Sequence, residues 1–117
     1  MKKVKTILIL LMATCALFAQ DITGTWSGVL TIPQGELKVN FHITSIDNGY
    51  SSTLDSPDQN AFGIPTDTTI YKKPELKITI AQIGAEYAGK WIDDTKIEGT
   101  FTQMGQALKL NLTKMEE

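Results

Sequence analysis

From residue 21 onward, apolar and polar side chains alternate in short runs along the chain. The clearest run lies within residues 36–46, where apolar and polar positions alternate: Leu37, Val39, Phe41 and Ile43 are separated by Lys38, Asn40 and His42. A repeat of two residues is the period of a β-strand, because successive strand side chains point to opposite faces. Residues 75–80 and 107–113 repeat the pattern, and no later stretch has helical spacing. An all-β chain is therefore predicted.

Turn-forming residues interrupt this alternation seven times and leave eight candidate strands. The predicted strands lie near residues 23–33, 36–46, 49–56, 67–73, 75–82, 85–93, 95–103 and 106–114. Six of the seven links are short enough for hairpins, so consecutive strands should be antiparallel neighbours. An eight-stranded meander leaves two exposed edges unless it closes. We therefore predict a small antiparallel up-and-down β-barrel without helices, with a two-sheet sandwich as the alternative.

The first 19 residues have the pattern of an export signal. Three lysines, at positions 2, 3 and 5, precede an apolar stretch of about 13 residues, which is too short to span a bilayer. Cleavage after Ala19 would leave one domain at residues 20–117, periplasmic or secreted, with no transmembrane segment. Lipid attachment at Cys15 is the alternative, although Met12-Ala13-Thr14 lacks the usual preceding leucine. Without residues 1–19 the chain has no cysteine, so neither a disulfide nor a thiol nucleophile is expected.

The charge of the chain argues against a nucleic-acid partner. The chain has 13 acidic residues and 11 basic ones, all of them lysine, and a net charge of −2. Removal of the three N-terminal lysines would bring the net charge to about −5. A surface with surplus carboxylates and no arginine does not attract a phosphate backbone.

Residue types that carry catalysis or bind metals are few. His42 is the single histidine, and the alternation places it on the outer, polar face of its strand as a solvated residue. No Gly-x-Ser-x-Gly motif and no phosphate-binding glycine-rich loop is present. Asp55, Asp58 and Asn60 are close in sequence, but their segment lacks the glycine and terminal glutamate of a calcium-binding loop. We therefore predict no catalytic constellation, no cofactor and no metal.

Two features of the predicted barrel are candidate binding elements. The first is a group of inward aromatic residues: Trp26, Tyr50, Tyr87, Trp91 and Phe101. Gly28, Gly89 and Gly99 each lie two positions from one of these rings, a spacing that leaves room for a ring on the same face. The rings either fill a packed core or line a cavity, since eight strands can enclose one small ligand.

The second candidate element is the connection at residues 56–66, which is longer than a hairpin needs. It carries Asp58 and displays Phe62 and Ile64 between Pro57 and Pro65. Exposed apolar side chains on a stiff loop are typical of a binding site. The alternative is a loop that folds over one end of the barrel and plugs it with Phe62.

Two sequence resemblances extend this interpretation. The triplet Gly24-Thr25-Trp26 resembles the Gly-x-Trp start of lipocalins and of the streptavidin group, which implies a lipocalin-like, or calycin-like, barrel. The segments DITGTWSGVL (21–30), LDSPDQ (54–59), GIP (63–65) and IEGTFTQ (97–103) resemble the β-rich domain that precedes the α/β-hydrolase domain of secreted bacterial esterase-like or peptidase-like proteins. This resemblance implies an accessory module with a hydrolase domain as partner. The nucleophile elbow and the catalytic triad of that hydrolase domain have no counterpart in this sequence. The resemblance therefore assigns no catalytic residue to it.

Three classes of function follow from the sequence. The favoured class is a non-catalytic binding or docking module, and the second is a free-standing carrier of a small apolar ligand. The third is an enzyme that uses only Asp, Glu, Tyr and Lys, which would require two inward carboxylates at one mouth. The alternation places Glu36, Glu86 and Glu98 outward, which argues against an enzyme of this kind. A wide cavity would favour the carrier, and a filled barrel with an exposed apolar patch would favour docking.

Overall fold

The computed structural model describes residues 21–116, so the predicted signal peptide and Cys15 lie outside the described residues. The strands are β1 (Gly24–Ile32), β2 (Gly35–Ile46), β3 (Gly49–Ser56), β4 (Ala61–Pro65), β5 (Thr68–Lys72), β6 (Glu75–Ile80), β7 (Ala85–Asp93), β8 (Lys96–Gln103), β9 (Gln106–Lys109) and β10 (Leu112–Lys114). Within this range the helical segments are two single 3₁₀ turns, Pro57–Gln59 and Ala81–Ile83. The all-β prediction is confirmed. No helix of the described part has the length and apolar character to cross a membrane.

The strands form one curled antiparallel sheet, which excludes the sandwich alternative. Their order is β4-β3-β2-β1-β10-β8-β7-β6-β5, and β9 also pairs with β8. Because β1 lies between β2 and the C-terminal β10, the first and last strands are neighbours, as a closing meander requires. The order begins at β4 and ends at β5, so the sheet is a half-barrel whose backbone ladder is open between the β3–β4 side and β5. We call this open side the seam.

The predicted strands agree with the observed ones to within two residues at each end, with two differences in strand number. Residues 61–65 form β4 where a loop was predicted, because Asn60 adopts a left-handed φ of 56° and turns the chain back along β3. The predicted last strand is divided into β9 and β10 around Leu110 and Asn111. At this break the Asn111 carbonyl oxygen lies 2.4 Å from where a Cβ of Gly28 would stand, so β1 can approach the segment only with a glycine there.

Side chains close the seam in place of a ladder. The Ser52 hydroxyl on β3 contacts the hydroxyls of Thr69 on β5 at 2.7 Å and of Thr66 at 3.0 Å. The Thr66 N–H donates to the Ser52 carbonyl at 3.3 Å. The rings of Tyr50 and Tyr71 pack edge to face with their centroids 6.0 Å apart. These hydroxyls satisfy one another where Ser52 and Thr69 are buried, which is the condition for polar groups in a core.

One part of the barrel is filled by packed aromatic rings. Trp26 is fully buried and packs edge to face on Trp91, with centroids 6.0 Å apart. Tyr71 extends the stack at 5.9 Å from Trp91. The Trp26 indole N–H donates to the Ile22 carbonyl at 2.8 Å, so this buried donor is satisfied. Here the packed-core interpretation of the inward rings holds.

The glycines Gly89 and Gly99 make room for a ring, but the ring is Tyr87. They face each other across β7 and β8. A Cβ on Gly89 would lie 2.7 Å from the Tyr87 ring, and one on Gly99 would lie 2.6 Å from the Tyr87 hydroxyl oxygen. That hydroxyl donates to the Leu110 carbonyl at 2.9 Å, which fixes the ring over the two glycines. Sequence spacing had associated these glycines with Trp91 and Phe101 instead.

Candidate functional site

A cavity of about 340 Å³ lies inside the barrel beside β4. Its apolar lining comes from Leu30, Leu37, Val39, Leu54, Ala61, Ile64, Ile83 and Phe101, and its polar lining from Ser56, Gln59 and Gln103. The period-two alternation explains this composition, because the inward residues of β1, β2, β3 and β8 converge here. The first 3₁₀ turn and β4 form the wall on the side of the seam.

Two glutamines provide the polar groups at the rim of the cavity. The Ser56 hydroxyl donates to the Gln59 side-chain oxygen at 2.7 Å. The Gln103 side-chain nitrogen donates to the Ile83 carbonyl at 3.0 Å. Within residues 21–116, these contacts leave the amide NH₂ group of Gln59 and the amide oxygen of Gln103 without a hydrogen-bond partner. The rim therefore offers one donor group, with two N–H bonds, and one acceptor oxygen to a molecule in the cavity.

The structure separates the aromatic residues that the sequence grouped together. Phe101 lines the cavity, whereas Trp26, Tyr87 and Trp91 lie in the packed part of the barrel and do not line it. Tyr50 is half-buried at the seam, beside an open depression formed with residues 46–49 and 68–70. Burial raises the pKa of Tyr87 above its ordinary value, because the phenolate would lose its hydration.

The segment 56–66 supplies one wall of the cavity, as a turn followed by a strand. Ile64 lines the cavity, whereas Phe62 is 62% exposed, does not line the cavity and does not plug the barrel. Asp58 is exposed, and its carboxylate accepts a hydrogen bond from the Lys38 N–H at 2.9 Å. Asp58 thereby fixes the first 3₁₀ turn to β2.

A hydrogen-bonded chain on the outer face of the barrel was not predicted from the sequence. His42 Nδ1 lies 3.0 Å from the Thr25 hydroxyl, and His42 Nε2 lies 2.7 Å from Asp55 Oδ2. The other carboxylate oxygen of Asp55 accepts the Gly63 N–H at 2.7 Å. His42 lies on the outer face, as predicted, and its side chain is 41% exposed, but both of its ring nitrogens have protein partners, which was not predicted. Alternation placed these side chains on one face, but it carries no information about the register between strands that brings them together.

The Asp55 carboxyl group is held in its charged form. Burial raises its pKa, but the hydrogen bonds from the Gly63 N–H and from His42, together with the His42 charge, outweigh burial. The pKa of Asp55 is consequently lower than its ordinary value of 3.8. Asp55 and Asp58 have separate partners, and no group of three or more His, Cys, Asp or Glu side chains that could hold a metal ion occurs in residues 21–116.

No known protein family and no curated protein matches the chain. Its fold is similar to that of a solved redesigned β-barrel, mFAP1, bound to DFHBI. The two have a TM-score of 0.51 and 15% sequence identity, over 83% of this chain and 97% of that chain. At this identity the similarity shows the fold alone, a small antiparallel β-barrel.

Proposed function

We propose that the chain is an exported, non-catalytic barrel that carries a small, uncharged apolar molecule in the cavity beside β4. The observation that carries this proposal is the lining of the cavity, which consists of eight apolar side chains and three uncharged polar ones. A mostly apolar concavity with a few polar groups is the usual form of a small-molecule site. The similar redesigned barrel was solved with a small molecule, DFHBI, which supports the same kind of use here.

The lining restricts the chemistry of the ligand. No charged side chain lines the cavity in the described part of the chain. A buried charge without a partner costs several kcal/mol, roughly, so a charged ligand would be excluded. The volume of about 340 Å³ is near the lower end of the usual range for ligand pockets, so the ligand is small. Gln59 and Gln103 suit one hydroxyl, carbonyl or amide group on it.

Binding of an uncharged fluorescent probe, N-phenyl-1-naphthylamine, to the full mature chain tests the proposal. Two residues of β4, one in the cavity lining and one exposed to solvent, supply a matched pair of variants. Ile64→Trp fills the cavity and should weaken probe binding at least tenfold, whereas Phe62→Trp adds its bulk outside and should leave the affinity unchanged. Equal affinities of the two variants, with both folded by circular dichroism, would eliminate the cavity as the site.

Docking to a hydrolase domain is a second candidate function, and the exposure of Phe62 favours it. This ring is 62% exposed on β4, which is an edge strand and, among the described strands, pairs with β3 alone. An aromatic ring on an unpaired edge offers both an apolar anchor and free backbone groups to a partner. Calorimetry against a hydrolase domain encoded beside this chain tests the proposal: Phe62→Ala should abolish binding while probe binding in the cavity persists.

A further inference from the structure

Backbone hydrogen bonds to β3 hold β4 only weakly to the rest of the sheet. β4 pairs with β3 at only three positions, Thr53 with Pro65, Leu54 with Ile64 and Ser56 with Ala61. The register shifts between Leu54 and Ser56, so two residues of β4, Phe62 and Gly63, lie opposite Asp55 and neither pairs with it in the ladder. Such a shift removes ladder hydrogen bonds. On its other side β4 has no strand, because the sheet order begins with it.

The Asp55 side chain replaces the missing ladder contact. Its Oδ1 accepts the Gly63 N–H at 2.7 Å, in the middle of β4. Gly63 has a φ of +65°, a conformation that a side chain would strain. A hydrogen bond to a charged acceptor is stronger than a neutral ladder bond. One carboxylate oxygen thus supplies a strong contact at the point where the strand is irregular.

His42 holds the carboxylate in this position from the other side. Its Nε2 lies 2.7 Å from Asp55 Oδ2, and its Nδ1 lies 3.0 Å from the Thr25 hydroxyl. In the neutral imidazole, Nε2–H donates to Asp55 and Nδ1 accepts the Thr25 hydroxyl proton. In the charged imidazole both nitrogens donate, and the Thr25 hydroxyl becomes the acceptor. The orientation of Asp55 is therefore kept in both protonation states of His42.

We propose that β4 is a flap over the cavity and that the Asp55 carboxylate, oriented by His42, is the latch that holds the flap closed. β4 contributes Ala61 and Ile64 to the cavity wall, and Gly63 directly precedes Ile64. Loss of the Gly63 contact leaves the flap with its short, irregular ladder, so the flap opens more often. This inference rests on the proposed function, because it assigns control of the same cavity. Thr25 and His42 act as positioning residues.

Few other charges face the latch. β1 and β4 contain no titratable side chain. β2 contributes Glu36 and Lys38 to the same outer face, and the first 3₁₀ turn contributes Asp58, which accepts the Lys38 N–H. Asp21 borders the open depression beside His42. Protonation of the Asp55 carboxyl weakens the latch, because the Gly63 N–H then donates to a neutral oxygen. Since the contacts in the folded state favour the carboxylate, the latch is strongest above the ordinary carboxyl pKa and weakens as the pH falls through the lower folded value.

Amide hydrogen exchange of Gly63, measured by NMR without ligand, tests the latch directly. In Asp55→Ala the exchange of the Gly63 amide should accelerate at least tenfold at neutral pH. In Asp55→Asn, which like the protonated carboxyl offers only a neutral oxygen to the Gly63 N–H, the exchange should accelerate less than in Asp55→Ala. Asp93→Ala is the matched control, and in it the exchange of the Gly63 amide should stay as in the parent protein. Asp93 also accepts two hydrogen bonds, but both come from Thr95 in the β7–β8 turn.

Probe kinetics then connect the latch to the cavity. Association and release of N-phenyl-1-naphthylamine should both accelerate at least tenfold in Asp55→Ala, with a smaller change in affinity. Unchanged Gly63 exchange in Asp55→Ala would overturn the latch whether or not the cavity binds a ligand. Faster Gly63 exchange with unaltered probe kinetics would overturn the flap as the entry route. If Asp55→Ala does not fold, His42→Ala, which removes only the orienting group, provides the same two readouts.

Discussion

The Tyr87 side chain lies directly against the backbone of Gly99. A Cβ on Gly99 would stand 2.6 Å from the Tyr87 hydroxyl oxygen and 2.4 Å from the Ala88 carbonyl oxygen. The ring occupies the space that a side chain at position 99 would need, and its hydroxyl reaches the Leu110 carbonyl. This arrangement fills one part of the barrel, while the region beside β4 keeps its cavity. The Tyr87 ring can therefore fill this part of the barrel only because positions 89 and 99 carry no side chain.

Gly99→Ala should destabilise the fold by about 1–3 kcal/mol, because the added methyl overlaps a backbone carbonyl that cannot move away. Urea unfolding followed by tryptophan fluorescence measures the loss. Gly49→Ala is the matched control, since nothing lies within 4 Å of a Cβ at Gly49. If both variants unfold at the same urea concentration, the packing of Tyr87 on Gly99 is not as described.

Trp26→Ala should cost about 3–5 kcal/mol, because it removes a fully buried ring that packs on Trp91 and donates to the Ile22 carbonyl. Such a loss approaches the whole stability of a small domain. Phe62→Ala, which removes an exposed ring, should change the free energy of unfolding by less than about 0.5 kcal/mol. A Trp26→Ala protein with the urea midpoint of its parent would contradict the burial of this ring.

The faces of the strands could be predicted from the alternation alone, whereas contacts between strands also require their register. The alternation in residues 36–46 identified Val39, Phe41 and Ile43 as inward, and all three are buried. The alternation does not show that His42 meets Asp55, because each strand has the same period whatever its neighbour. The register between β2 and β3 follows instead from the two-residue turn at 47–48, which pairs residue 46 with residue 49 and places Asp55 diagonally opposite His42.

Two other differences have related causes. β4 was read as a loop because Gly63 and Pro65 are strand breakers in a sequence, although an edge strand tolerates proline. The inward aromatic residues were predicted either to fill a core or to line a cavity, and inward direction does not specify depth along the barrel. Phe101 and Trp91 both point inward from neighbouring strands, and only Phe101 lies at the level of the cavity.

The alkaline stability of the protein should depend on Tyr87. Burial raises the pKa of Tyr87 above the ordinary tyrosine value of 10.0, so the unfolded chain releases this proton at a lower pH than the folded protein does. Stability should therefore fall as the pH rises above about 10. Urea midpoints measured between neutral and alkaline pH should show this fall, and Tyr87→Phe should reduce its slope. An identical slope in Tyr87→Phe would rule out Tyr87 as the cause.

If the chain is exported and cleaved as its N-terminal sequence predicts, the mature protein should be shorter than the chain that the gene encodes. The three N-terminal lysines and the apolar stretch after them match a signal peptide, with cleavage after Ala19. Intact mass of the protein recovered from its native host should correspond to residues 20–117. A mass that includes residues 1–19 would contradict export with cleavage, and a lipid-modified chain beginning at Cys15 would establish the lipoprotein alternative.

The cavity should discriminate against charged ligands, and a single substitution should reverse that preference. Decanol and decanoate have the same chain length, but only decanoate would bring a charge into a lining without a counter-ion. We therefore expect decanol to displace the fluorescent probe at a concentration at least tenfold lower than decanoate does.

In Leu37→Lys, the new ammonium group at the half-buried rim position should pair with the carboxylate and favour decanoate. Leu108→Lys, also half-buried but outside the cavity lining, is the control and should retain the preference for decanol. Equal displacement by the two ligands in the parent protein would show that the uncharged lining does not select the ligand.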